Sequence, residues 1–305
     1  MVERLAVRVG ERRLRLTNLG KVLYPGVGFT KAEVIDYYTR IAPVLLPHVA
    51  GRPLTVRRFP DGVSGSSFFE KNVPSHAPGW VRTVRVATPG SSRGAEFAEF
   101  VVVEELATLV WLANLAALEL HVPQWVVGGD GVRRLPDLVV FDLDPGPPAT
   151  VVECCRVAER LRGVLVADGL SPVVKTSGSK GLQVYAAVRV SSAGDPSVYA
   201  KAVARRLARE WPDRVVWSMA KAVRSGRVLI DWSQNNPAKT TVAPYSLRAR
   251  EVPSVSTPVS WEEVVGCREP GGLVFTADEV RARVARVGDL FGGLVGVVDP
   301  APLPV

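Results

Sequence analysis

Cysteine is nearly missing from this 305-residue chain: Cys154, Cys155 and Cys267 form no Cys-x-x-Cys pair and no metal-ligand spacing. That argues against a disulfide framework and a structural zinc site, and it fits a reducing cytoplasm. Histidine is equally scarce, at His48, His76 and His121. No window reaches the roughly 18 consecutive apolar residues of a membrane span. The amino end, Met1-Val2-Glu3-Arg4, is charged where a signal peptide needs an apolar core. The expectation is a soluble, cytoplasmic protein with no membrane partner. Internal repeats and low-complexity blocks are missing too, so no solenoid is expected, and the Pro- and Val-rich tail after Gly288 is expected to be extended and packed, or loose.

What is present is an excess of positive charge. Lys and Arg number 38 against 30 Asp and Glu, a net charge of +8. Such a balance favours a polyanionic partner, nucleic acid before a membrane surface. At 47% hydrophobic and 22% charged the composition is that of a folded protein, and the length allows one large domain or two modest ones.

The stretch Val139-Val140-Phe141-Asp142-Leu143-Asp144-Pro145-Gly146 is an apolar run ending in two acids. Alternate side chains of a strand share a face, so Asp142 and Asp144 project side by side. Adjacent carboxylates repel each other unless cations sit between them. A second short apolar run, Val228-Leu229-Ile230-Asp231-Trp232, delivers a third acid. An isolated Asp-x-Asp also marks turns, caps and the metal site of glycosyltransferases. Three strand-borne acids point instead to two-metal phosphoryl transfer.

Other segments suit a phosphorylated ligand. Lys175-Thr176-Ser177-Gly178-Ser179-Lys180-Gly181 joins two strand candidates, and its small residues should expose backbone N–H groups beside a lysine. It is no P-loop, since GxxxxGK[ST] is absent and a strand follows. Asp231 opens a polar loop that runs to Lys239-Thr240-Thr241, with Arg248 beyond it as a bidentate phosphate donor. Asn18, Lys21 and Lys31 cluster where a helix begins, a place suited to a terminal phosphate. Phe68 and Phe69 fall in a loop, one expected in the core and the other free to stack on a base. The stripe Lys201, Arg205, Arg209 reads as solvated surface. His121, on sequence alone, reads as structural.

Helices are expected from the capping box Thr30/Glu33 onward, with Val34, Tyr37, Tyr38, Ile41 and Leu45 inward, and at 104–120, 151–163, 196–211 and 276–287. Strands are expected at 5–9, 12–16, 54–59, 81–87, 96–103, 173–176, 182–190 and 228–232. The mixture lacks strict βαβ alternation, so the fold class is α+β.

Taken in order, these motifs resemble the polymerase domain of bacterial DNA ligase D, of the archaeo-eukaryotic primase superfamily. The resemblance runs from Leu16-Thr17-Asn18-Leu19-Gly20-Lys21 through Phe69-Glu70-Lys71-Asn72-Val73-Pro74 and the two acid-bearing runs to Lys239-Thr240-Thr241. It implies a primase-polymerase fold of mixed and antiparallel sheets flanked by helices, with the acids on a central RRM-like sheet. It implies one catalytic domain, in which residues 1–130 handle DNA and its 5′-phosphate, 131–250 form the metal and nucleotide core, and 251–305 pack against them. Asp142, Asp144 and Asp231 would hold two divalent ions, manganese in preference to magnesium. His121, Ser177, Lys180, Gln183, Gln234 and Arg248 would line the nucleotide, Asn18, Lys21 and Lys31 would grip a 5′-phosphate, and Phe68 and Phe69 would stack on DNA.

The activity implied is template-dependent, ribonucleotide-preferring gap filling and end extension on 5′-phosphorylated DNA gaps or breaks. Deoxynucleotides would also serve, and Ku and a separate ATP-dependent ligase are the implied partners of a nucleoid-associated repair enzyme. Alternatives are a primase starting chains de novo and a weakly catalytic end-bridging module. The chain departs from the family in two ways. Ligase D domains commonly read Ser-Gly-x-Lys-Gly-x-His where this chain ends on Gln183, and an amide offers only neutral hydrogen bonds. No ligase or nuclease sequence follows residue 305, so the expectation leans to the stand-alone, ligase C associated relatives and to excision repair as much as end joining.

Overall fold

The structure, a computed structural model, describes residues 4–88 and 96–304. Two six-stranded sheets organise it. The first runs in space as Thr241–Val242, Ala117–Val122, Pro53–Arg58, Phe97–Val102 and Thr83–Ala87, with Phe68–Glu70 also paired to Pro53–Arg58. All of these pairings are antiparallel. Helix α1 (Lys31–Val49) starts at the expected Thr30/Glu33 capping box and buries Val34, Tyr37, Tyr38, Ile41 and Leu45. Its two tyrosines donate hydrogen bonds to the carbonyls of Tyr245 and Leu118, at 2.8 and 2.7 Å, so burial of the rings leaves no hydroxyl unpaired.

The helix expected over 104–120 is shorter than that. Helix α2 (Leu106–Asn114) ends, Ala116 takes a positive φ of 57°, and Ala117–Val122 is a fully buried strand. A run apolar on nearly every face carries little period by which helix and strand could be told apart. The usable signal was the i, i+2 pair Glu119 and His121, polar residues that share one strand face. His121 therefore lies on a central strand and not at a helix end.

The second sheet runs Val215–Val216, Val228–Asp231, Leu138–Pro145, Leu182–Ala187, Val173–Thr176 and Pro258–Val259. It is antiparallel except where Val215–Val216 lies parallel to Val228–Asp231. Along Leu138–Pro145 the pleat sends Val139, Phe141 and Leu143 into a core shared with α3 (Val151–Ala167) and α4 (Asp195–Glu210). The alternate residues Val140, Asp142 and Asp144 therefore face the other way. The fold is α+β, as expected.

The Pro- and Val-rich carboxyl segment is packed. Asp289 accepts hydrogen bonds from Tyr245 (2.6 Å) and His48 (2.8 Å). Phe291 is buried with Leu138, Val140 and Tyr185, and Leu303 enters the core shared with α3 and α4.

A candidate metal and nucleotide site

Register sets the acids. Asp142 pairs directly with Asp231 on the neighbouring strand, and Asp144 is two residues further on the same face. One carboxylate oxygen from each lies within 4.8 Å of the others, an all-oxygen set that fits hard divalent cations. Asp142 is pushed up to about 7 by burial and then by the charge of Asp144, and Asp144 is raised by burial and by Asp231. Asp231 is held from the loop that follows it. Its Oδ1 accepts from the Ser233 amide (2.9 Å) and hydroxyl (2.5 Å), and its Oδ2 from the Gln234 amide (2.9 Å). Lys239 in turn donates to the Ser233 hydroxyl at 2.5 Å.

That polar loop begins as a 3-10 turn over Trp232–Asn235, tied by Asn235 to the acid-bearing strand. Buried Asn235 donates to the carbonyl of Val140 (2.7 Å) and accepts from its amide (2.8 Å), which satisfies that stretch of backbone as a neighbouring strand would.

A cavity of about 470 Å³ opens over the acids, lined by Asp142, Asp144, His121, Ser177, Lys180, Gln183, Gln234 and Arg248. All six residues expected to line a nucleotide thus share one cavity with two of the acids. Ser179, Thr241 and Arg250 line it as well and were missed by sequence reasoning. The turn 177–181 differs from expectation in one respect. Its backbone N–H groups at Gly178, Ser179 and Gly181 bond to the hydroxyls of Thr176 and Ser177, so its side chains supply most of what faces the cavity. Two glycines are obligatory here. Gly178 has a φ of +66°, and a Cβ on Gly181 would lie 2.0 Å from the Leu143 carbonyl oxygen.

Opposite the acids, Arg248 stands 3.5 Å from buried Glu119, and its Nε has no hydrogen-bond partner. Burial alone would raise Glu119. The hydrogen bond from His121 and the Arg248 charge outweigh it and hold the carboxyl at about 2. Burial lowers His121, so its imidazole is neutral and donates Nε2–H to Glu119 at 3.0 Å. Glu119, another residue missed in the sequence, anchors both.

The expected 5′-phosphate residues also converge. Asn18 adopts a left-handed φ of 52° and its carbonyl accepts from the Lys21 amide at 3.0 Å, while the Lys31 amide reaches the Lys21 carbonyl at 2.8 Å. Lys31, at the head of α1, is buried and donates to the Thr17 hydroxyl at 3.2 Å, and Lys21 pairs with Asp61 at 3.0 Å. Phe68 and Phe69 occupy a short strand, and both are exposed, at 43% and 50%, so neither is the core residue expected. The Phe69 ring meets His121 edge-on at 5.5 Å, which ties this aromatic to the cavity. Arg205 and Arg209 are exposed, as read, and Arg205 lies over the ring of Trp217 (5.0 Å), while half-buried Lys201 lies over that of Trp232 (4.7 Å).

Carboxylates in register on one sheet face, answered by guanidinium and ammonium groups across a cavity, suit phosphoryl transfer from a nucleotide, and the class that fold and site define is a nucleotidyltransferase of the primase-polymerase type. More particularly, the profile of the LigD primase-polymerase domain matches residues 30–291, and the chain belongs to that family. It is 43% identical over 284 residues to the multifunctional non-homologous end joining protein LigD of Mycolicibacterium smegmatis, covering 92% of this chain and 36% of that protein. The bifunctional LigD of Bacillus subtilis is 30% identical over 278 residues, 90% of this chain and 43% of the relative. The chain thus spans well under half the length of these relatives. The polymerase domain of Mycobacterium tuberculosis ligase D, solved in complex with DNA, superimposes with a TM-score of 0.87 at 41% identity, covering 93% of this chain and 98% of that one.

Proposed function

We propose that the protein fills gaps and extends ends in DNA repair, adding nucleotides, ribonucleotides in preference, to a primer facing a 5′-phosphorylated strand. The observation that carries this reading is the acid triad in register beneath a cation-walled cavity. Asp142, Asp144 and Asp231 hold two divalent ions, manganese preferred. Lewis-acid chemistry from these ions lowers the pKa of the primer 3′-hydroxyl and neutralises charge on the leaving pyrophosphate. Lys180, Arg248 and Ser177 bind the triphosphate, with Gln234 and His121 beside it. Glu119, 3.5 Å from Arg248 Nε, holds this guanidinium at the cavity wall. Asn18, Lys21 and Lys31 hold the downstream 5′-phosphate, and Phe68 and Phe69 stack on the template. Positioning and charge neutralisation supply most of the rate. The relatives' names place them in non-homologous end joining, and we assign this chain to the same kind of break or gap repair, with a ligase and Ku as partners.

The test is primer extension across a gap of one to a few nucleotides with a 5′-phosphate, comparing ribo- and deoxynucleotides in manganese and in magnesium. Templated ribonucleotide insertion that disappears in Asp142→Ala/Asp144→Ala is the expected result. Tight gap binding without insertion by the wild type would overturn the reading.

A further inference from the structure

One polar row crosses four strands of the second sheet. Asp231 pairs with Asp142, Asp142 with Gln183, and Gln183 with Lys175. Lys175 is fully buried, a costly place for an amine unless its hydrogen bonds are met. Two are made: Nζ donates to Gln183 Oε1 at 2.5 Å and to Ser256 Oγ at 2.7 Å. The Ser256 hydroxyl spends its own proton on the Thr176 carbonyl at 2.8 Å, so toward Lys175 it can only accept. Since an amine donating from Nζ must face the amide oxygen, Gln183 has no choice of orientation, and its Nε2 donates to Asp142 Oδ1 at 3.1 Å. The same Gln183 oxygen also faces the Tyr185 hydroxyl at 3.5 Å, a second donor that favours this orientation.

We propose that Lys175 and Gln183 are positioning residues for Asp142. Lys175 fixes the flip of the Gln183 amide, and the amide fixes which oxygen lone pairs of Asp142 face the cations. This inference rests on the metal reading above and assigns the departure at position 183 a purpose. The amide there is paired at both ends within the protein, and its partner is a lysine one strand deeper. Groups that orient a metal ligand from behind typically change affinity by about 10- to 100-fold when removed.

The measurement is Mn2+ binding to the whole chain, followed by electron paramagnetic resonance, with thermal melting to confirm folding. Lys175→Met and Gln183→Leu are each expected to bind Mn2+ at least about tenfold more weakly than wild type. The sign is discriminating. Losing a cation near the site for purely electrostatic reasons would tighten Mn2+ binding, and a purely structural role would lower the melting temperature and leave affinity unchanged. Lys175→Met/Gln183→His should regain wild-type affinity within about threefold, because an imidazole N–H needs no lysine to choose which end faces Asp142. Unchanged or tighter binding by Lys175→Met overturns the proposal, as does a double variant no better than the single. Should Lys175→Met not fold, Gln183→Leu decides alone, and unchanged affinity there overturns it. Wild type that binds no Mn2+ would overturn the metal reading itself, whereas wild type that binds alongside unaffected variants overturns only this inference.

Discussion

The acid row and the lysine cluster at the head of α1 hold like charges together in opposite senses. In the row, Asp142 is driven to about 7 by burial and then by Asp144 and Asp231, with amide and hydroxyl donors arranged around the acids. In the cluster, Lys31 is driven down to about 8 by burial and then by Lys21 and Arg58. Each region is strained in the direction that a ligand of opposite sign relieves: divalent cations for the first, a phosphate for the second. The two differ in how far the fold commits to the strain. The acids are in strand register and cannot separate, whereas Lys21 sits on an exposed turn where Asp61 already neutralises it.

The largest expected effect comes from removing one charge of the row. Asp142→Asn should lower insertion by ~1000-fold or more, because the cluster that would hold divalent cations loses one of its three carboxylates. The same variant should stabilise the metal-free protein. With its folded-state pKa near 7 and an ordinary value near 4 when unfolded, Asp142 keeps a proton in the folded chain that the unfolded chain loses. Stability linked to that proton is present below about pH 4 and lost as pH rises through 7. Urea unfolding in EDTA should find Asp142→Asn more stable than wild type by about 1–3 kcal/mol at pH 8, with the gap closing at pH 4. Equal stabilities at pH 8 would mean that the acids are not in conflict, and the contrast with the lysines would fail.

How much of this was legible in sequence follows the same division. Asp142, Asp144 and Asp231 could be read because a period of two on an apolar strand leaves few places for a carboxylate. Thr30 and Glu33 could be read because capping chemistry is local. What could not be read depends on contacts between distant segments. Lys175 looked like the first residue of a phosphate turn, yet its place is set by register with Gln183 and by Ser256, 81 residues away. Glu119 was hidden inside a run taken for a helix. Only pairing with Pro53–Arg58 and Thr241–Val242 makes that run a strand and puts Glu119 between His121 and Arg248. Phe68 and Phe69 were misjudged because adjacent strand residues ordinarily divide between core and solvent, and their strand is a three-residue addition paired along one side to Pro53–Arg58.

A smaller effect tests the lysine side. Lys21→Ala should weaken binding to a gap bearing a 5′-phosphate by about tenfold, the worth of one charge-assisted hydrogen bond. Binding to the matching 5′-hydroxyl gap should stay unchanged, as read by fluorescence anisotropy at fixed salt. Equal losses on both substrates would make Lys21 a general contact to the DNA backbone and remove the phosphate-specific half of the comparison.

The smallest effect is one of pH, and it follows from Lys31. Its amine is held down to about 8, so without a ligand it loses its proton between pH 7 and 9. A 5′-phosphate has already reached its dianionic form near pH 7 and changes little above it. Affinity for the 5′-phosphorylated gap should therefore fall roughly fivefold from pH 7 to pH 9, as the charged amine becomes the minor form. Over the same range the folded chain binds fewer protons here than the unfolded chain, so this group makes stability rise with pH while binding falls. Opposite slopes of that kind separate loss of the phosphate contact from unfolding. Lys31→Met should bind weakly and with no pH dependence. If wild type shows a flat profile, burial of Lys31 has not placed its charge at risk, and the lysines, unlike the acids, are not strained by their setting.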